Sequence, residues 1–310
     1  MATVAQCRDS SNQRCQPSLY SNLAKDIISV VSLGILLICI HDFATPFRRG
    51  FQCDDETIRY PYKDSTVSSG VCYLFGSGVN VALILILEYV NLAFNDTTND
   101  PANHETGGFQ MKVYLRNIYC RLILWLFGAI TSELMTDITK VTAGRLRPHF
   151  ISVCRPIVRT ASGEIALDEY CFKAKYEYIT EYYCSGDASK QRDARLSFLS
   201  GHSSYSAYSA IFAVTYIQST LDITKLGLIK PALQVLLIST AVYTGLTRVS
   251  DYKHHWQDVL AGLTLGTTIA AFVNAFMWPP LYRVYYKLVR GPSVPSEHGE
   301  AGEELNRFSY

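Results

Sequence analysis

Charge is what this chain of 310 residues has little of. Charged side chains make up 18% of it, against roughly a quarter in an ordinary soluble domain, and the formal net charge is +1. A chain that is also 48% hydrophobic, with 21 Tyr and 14 Phe, cannot be intrinsically disordered. Near-zero net charge excludes a general polyanion binder, so nucleic acid is not an expected partner. Internal repeats and low-complexity tracts are absent, which excludes a repeat array. The polar start (Gln6, Arg8, Asp9, Gln13, Arg14) offers no cleavable secretory signal, so the first apolar segment is expected to remain as an anchor.

What the chain does have is apolar runs, six of them, separated by polar connections. They cover Ile27 to about Phe47, Val71 to Phe94, Ile118 to about Ile138, about Ser204 to Leu221, Leu226 to Leu246, and Asp258 to Trp278. A hydrocarbon core ~30 Å thick takes about 20 residues of helix, and most of these runs reach that length. The first is the weakest, because His41 and Asp42 interrupt its end. Any one run could be a buried helix of a soluble protein, but six together specify an all-α polytopic membrane protein, a bundle of six transmembrane helices. The expected organisation is an N-terminal segment 1–26, a membrane domain 27–290, and a tail 291–310 rich in Pro, Ser, Glu and Gly that is expected to be disordered. Six spans put both termini on one side.

Lys and Arg do not fix which side. Most lie opposite the termini, and the long connection from Thr142 to Leu199 supplies the excess, where the positive-inside rule has least weight. Of nine cysteines, Cys53, Cys154, Cys171 and Cys184 fall in the first and third connections, on one face. Four thiols there suggest one or two disulfides in an oxidising compartment, with three full pairings open. The sequon at Asn95-Asp96-Thr97 falls on the other face, where it reads as a chance match.

Three polar clusters flank the helices on the face of the long connection. Lys140 to Pro148 follows the third run, Ser200-Gly201-His202-Ser203 precedes the fourth, and Arg248 to Asp258 joins the fifth to the sixth. Alternation of the helices brings all three to one membrane face. Lys140, Arg147 and Arg248 contribute three cations, two of them planar forks that match phosphate oxygens. Backbone N–H groups around Gly201, at a helix start, add donors for an anion. His254 and Asp258 stand i, i+4, the spacing at which a carboxylate on the same helical face orients an imidazole. One aligned neutral His can act as nucleophile while a second supplies a proton, which suits phosphoryl transfer without a metal or other cofactor. Each cluster alone has a plainer reading: an interfacial basic anchor, a common tripeptide, or half of a zinc site with no further ligands nearby. Their conjunction carries the weight.

These clusters resemble the tripartite signature of the type 2 phosphatidate phosphatase superfamily: KxxxxxxRP at Lys140 and Arg147-Pro148, SGH at Ser200-Gly201-His202, and RxxxxxHxxxD at Arg248, His254 and Asp258. Tyr60-Pro-Tyr-Lys-Asp64, Gly144-Arg-Leu-Arg-Pro148 and Val249-Ser-Asp-Tyr-Lys-His-His-Trp256 are similar to the animal lipid phosphate phosphatases in particular, and the likeness runs from about Ile27 to Arg290. The resemblance implies that His254 attacks phosphorus, Asp258 holds its ring, and His202 serves as general acid and then base. It implies that Lys140, Arg147, Ser200, Gly201 and Arg248 bind the phosphoryl oxygens. It further implies membrane lipid phosphates as substrates (phosphatidate, lysophosphatidate, ceramide 1-phosphate, sphingosine 1-phosphate), cytosolic termini, and an extracellular or lumenal site, most naturally at the plasma membrane. It leaves homo-oligomers open. Leu199 and Thr247 depart from the superfamily's frequent Pro and Ser, and the stretch between the first two motifs has no Asn, hence no sequon there.

Other functional classes fit the same residues less well. A non-catalytic relative would have lost His202 or His254, and a transporter would spread polar residues toward the midplane. Enzymes of sugar phosphates or isoprenyl diphosphates share the core motifs and differ in the subfamily-like connections. Intramembrane Glu88, Glu133 and Asp137 are expected to be structural, with Asp137 paired to Lys140 three residues on.

Overall fold

The computed structural model describes residues 19–97, 107–161, 163–221 and 226–278. The expected tail 291–310 lies outside the described residues, as do residues 1–18. Six long helices occur among the described residues: α1 (Leu19–Phe43), α2 (Ser69–Thr97), α3 (Gly107–Ala143), α7 (Gly201–Thr220), α8 (Ile229–Ser250) and α9 (Trp256–Phe272), the last continued by a π-helical turn, Val273–Met277. The apolar runs mark where these helices lie but understate some of them. α1 includes residues 19–26, expected to precede the helix, runs through His41 and Asp42, and stops at Phe43 rather than Phe47. Hydropathy locates the hydrocarbon crossing, whereas a helix continues until its backbone finds a cap.

Five of the six, α1, α2, α3, α8 and α9, are long and apolar enough to cross a membrane. α7 has the length without the apolarity, and its packing gives the reason. α2, α3, α8 and α9 all pack on it, and twelve of its twenty residues are buried, among them Ser203, Ser204, Tyr208 and Ser209. A helix wrapped by helices need not be lipid-compatible, and small residues let neighbours close in. On α9, Gly262 and Gly266 make that approach. A Cβ at Gly262 would stand 2.6 Å from the Ser200 carbonyl oxygen, and one at Gly266 would run into that of Ser204. The core between these helices includes Ile84, Leu124, Tyr208, Phe212 and Tyr216.

The intramembrane acids are tied down. Glu88 accepts from Tyr216 (2.9 Å) and Asn117 (3.1 Å), Glu133 from Tyr73 (3.1 Å), and Asp137 bridges His41 (2.7 Å) and Lys140 (3.0 Å).

The first and third connections fold together into a small cap, which the all-α expectation did not resolve. It contains α4 (Phe150–Cys154), α5 (Leu167–Lys173) and α6 (Ala188–Gln191). β1 (Phe51–Gln52) pairs antiparallel with β4 (Tyr178–Ile179), and β2 (Pro156–Thr160) lies between β3 (Gly163–Ala166) and β5 (Tyr182–Cys184), antiparallel to both. Phe51, Ile58, Phe150, Val158, Ile179 and Tyr182 form its core, each such buried side chain contributing roughly 1.5–3 kcal/mol. Of the three pairings open in the sequence, the structure has Cys53–Cys171 and Cys154–Cys184. The first ties the connection after α1 to the long one after α3.

Candidate active site

The site lies under this cap, at the end of the bundle where α1, α3 and α8 finish and α2, α7 and α9 begin. Lys140 sits in the last turn of α3. The chain then turns at Gly144, whose φ of 54° suits only a residue without Cβ, since a side chain would strike the Phe47 carbonyl. That turn carries Arg147 back toward the bundle, where its N–H donates to the Ala194 carbonyl at 2.9 Å. Ser200 is the N-cap of α7, its hydroxyl accepting from Ser203 N–H at 3.4 Å, so the first-turn N–H groups and the positive helix end point at the site. Gly201 stands against Lys140: a Cβ there would be 3.0 Å from Nζ.

His254 is buried, and its Nδ1 donates to the Ser197 carbonyl at 2.6 Å. A carbonyl can only accept, so Nδ1 carries the hydrogen and Nε2 keeps a lone pair. Burial, then the charges of Arg147 and Lys140, hold the ring well below its usual 6.5 and therefore neutral. Arg248, Arg147 and Lys140 all act electrostatically on the His202 ring. His202 Nε2 and Arg147 Nε are buried without a hydrogen-bond partner, the orphaned polar atoms that a bound anion would satisfy. The cations are otherwise paired with carboxylates: Lys140 with Asp137 (3.0 Å), Arg147 with Asp193 (2.7 Å), Arg248 with Asp251 (3.0 Å).

One expected contact is displaced. Asp258 Oδ2 is 4.0 Å from His254 Nδ1, while Ser197 Oγ (2.6 Å), the backbone N–H of His255 (3.0 Å) and Arg145 Nη1 (2.5 Å) hold the carboxylate. α9 begins only at Trp256, so His254 lies in the turn before it and shares no helical face with Asp258. The carboxylate instead caps its own helix, where unsatisfied N–H groups attract it. Asp258 reaches His254 through Ser197, whose hydroxyl it receives and whose carbonyl holds the ring.

Neither Ser197 nor the charge partners Arg145, Asp193 and Asp251 had a role assigned from the sequence. Ser197 holds the His254 ring through its backbone carbonyl, which any residue carries, and its hydroxyl donates to Asp258. Asp251 did carry a signal, the i, i+3 spacing from Arg248. Its carboxyl, pushed up by burial, ends below its usual range because hydrogen bonds from Thr66 and Lys63 and the charge of Arg248 outweigh that. His149 is also buried, with Nδ1 2.6 Å from the Tyr252 carbonyl, and burial pushes it down to about 4. Among the described residues no group of three or more His, Cys, Asp or Glu could hold a metal ion.

The matching family model, the PAP2 superfamily, covers residues 121–281, which contain all three polar clusters. The chain belongs to the PAP2 superfamily. The chain is 35% identical over 291 residues to phospholipid phosphatase 1 of Rattus norvegicus, covering 92% of this chain and 94% of that protein. It is 36% identical over 259 residues to a putative phosphatidate phosphatase of Drosophila melanogaster, covering 81% and 67%. To phospholipid phosphatase 2 of Homo sapiens it is 35% identical over 262 residues, covering 84% and 81%. No solved structure matches the chain.

Proposed function

We propose that the protein is an integral membrane phosphatase that hydrolyses lipid phosphate monoesters such as phosphatidate and lysophosphatidate, without Mg²⁺ and through a phosphohistidine. The observation that carries this reading is the buried His254, its Nδ1–H fixed by the Ser197 carbonyl, in a site with three cations and a second histidine with an unpartnered Nε2. In the first step the His254 Nε2 lone pair forms a bond to phosphorus. The bond to the lipid oxygen breaks, and His202 gives that oxygen its proton. Lys140, Arg147, Arg248, Ser200 and the Gly201 backbone hold the three equatorial oxygens. Water, losing a proton to His202, then attacks phosphorus; the P–N bond breaks and inorganic phosphate leaves with His254 neutral again.

A lipid as leaving group is supported by a cavity of about 190 Å³ between α2, α7 and α8, lined by Val71, Phe75, Val79, Ala210 and Leu237. It also includes Cys72, whose Sγ lies 4.0 Å from the His202 carbonyl. The names of the phospholipid phosphatase relatives support the same substrate class. An extracellular or lumenal site, with cytosolic termini, is supported by the two disulfides in the cap over it, since such bonds persist in oxidising compartments.

The test is phosphate release by full-length protein in detergent, given phosphatidate or lysophosphatidate with EDTA present. Wild-type protein is expected to release phosphate and His254→Ala to lose at least about a thousandfold in kcat. An inert wild type, or equal rates in the two, would overturn the assignment.

A further inference from the structure

The stretch from Tyr60 to Val67 lies between α1 and α2, outside the three clusters, yet it contacts the first and the third of them and runs beside the second. Tyr60 N–H donates to the Pro148 carbonyl at 2.9 Å, and its ring stacks on Tyr252 at 4.6 Å. Tyr62 sets its edge against His149 at 5.3 Å, while Lys253 Nζ lies 3.8 Å above its ring. Lys63 Nζ reaches Asp251 at 3.4 Å. Thr66 then binds both oxygens of that carboxylate, its N–H donating to Oδ2 at 2.7 Å and its hydroxyl to Oδ1 at 2.8 Å. The backbone of Val67 runs beside the His202 ring.

Asp251 is fully buried, and Arg248 Nη2 donates to it at 3.0 Å. The hydroxyl of Thr247 accepts from Nε and Nη2 of the same guanidinium, at 3.3 and 3.1 Å. Two partners thus fix the plane of the fork, and no hydrogen bond among the described residues takes its Nη1, the edge open to an anion. A guanidinium on a long side chain has many rotamers, and holding it in one of them ahead of binding lowers the ordering cost when the ligand arrives.

The geometry points to Tyr60–Val67 as a strap that positions the phosphate-binding cation: Thr66 and Asp251 are positioning residues that act through Arg248. This rests on the reading of Arg248 as a phosphate ligand. It gives the Tyr60-Pro-Tyr-Lys-Asp64 motif a role, that of presenting Thr66 to Asp251.

A purely structural strap would hold the cap down without caring what Arg248 does, and a double-mutant cycle separates the two. Full-length protein in detergent is titrated with inorganic phosphate while its thermal unfolding midpoint is read, since a ligand of the folded state raises the midpoint with concentration. In parallel, kcat and KM for lysophosphatidate are measured. Thr66→Val, which removes one donor to Asp251 and keeps the shape, is expected to raise the half-saturating phosphate and KM by roughly tenfold, the scale of coupling within one hydrogen-bond network. Thr66→Ser should stay within about twofold of wild type. In an Arg248→Lys background, Thr66→Val should add nothing. Equal losses in both backgrounds, or a lower midpoint in Thr66→Val with unchanged phosphate dependence, would reduce the strap to a structural element. A wild type that phosphate does not stabilise would remove Arg248 as an anion ligand and this inference with it. A wild type that binds phosphate but hydrolyses no lipid phosphate would refute the proposed function alone, and the binding measurements would still decide the strap.

Discussion

His254 and His149 have the same local arrangement, a buried ring whose Nδ1 meets a backbone carbonyl 2.6 Å away. Both are kept neutral, His254 well below 6.5 and His149 near 4, with burial the leading cause in each. The carbonyls decide which nitrogen bears the hydrogen, and burial decides that there is only one. That has a consequence for stability. In the unfolded chain both rings take up a proton near pH 6.5, whereas the folded rings resist it until lower pH, so below that value the unfolded state binds more protons. The stabilisation from these neutral rings is therefore complete above about pH 6.5 and is lost as pH falls toward the folded values. The midpoint of thermal unfolding in detergent should drop between about pH 7 and about pH 5, and His149→Gln should flatten part of that slope. A slope that His149→Gln leaves untouched would mean that His149 is not held neutral in the folded protein.

At the scale of helices, the geometry of the proposed site depends on how closely α9 lies on α7. Ser200, the cap of α7, donates its N–H to the Asp258 carbonyl at 3.1 Å, and Gly262 one turn on leaves no room for a side chain over the Ser200 carbonyl. Gly262→Ala must push the helices apart at the point where Ser200, Gly201 and Asp258 meet. Displacements of this order cost up to about a hundredfold in rate, so kcat/KM should fall by roughly ten- to a hundredfold. Gly245→Ala is the control, because its new methyl would meet the Val259 side chain at 3.1 Å rather than backbone. Equal effects of the two substitutions would show that the α7–α9 approach is not what matters. The same contact explains what the sequence could and could not disclose. Lys140, Arg147, His202, Arg248 and His254 were legible because their chemistry depends on residue identity, and alternating helices place their clusters at one end. The fourth run, about Ser204 to Leu221, was legible as a helix, but its burial among other helices was not, since hydropathy cannot tell lipid from a jacket of helices. The direction of the Asp258 carboxylate was not legible at all, because it depends on α9 starting after His254 rather than before it. Strands of two to five residues, such as β1 and β2, are too short to show a period.

Across the whole molecule, the cap, the strap and the site occupy one end of the bundle, and two disulfides hold that end together. Cys53–Cys171 spans 118 residues and joins the connection before α2 to the one before α7; Cys154–Cys184 closes 30 residues beside Arg195, whose Nη2 lies 3.6 Å from Cys184 Sγ. Removing such a crosslink typically costs about 2–5 kcal/mol, more for longer loops on chain-entropy grounds. The cost here should fall on the site, because Arg147 and His149 lead straight into α4 and the strap leads straight from the Cys53 turn. This makes reduction a test of orientation as well as of stability. A membrane-impermeant reductant added to intact cells should lower hydrolysis of added lysophosphatidate if the cap faces outward at the surface, and Cys53→Ser with Cys171→Ser should lower it to a similar extent with no further response through that bond. If the reductant acts only after permeabilisation, the cap faces the lumen of an internal membrane instead. If activity survives reduction and the double substitution alike, the crosslink does not support the site, and the apolar cluster of Phe51, Phe150 and Tyr182 must hold the cap over the histidines unaided.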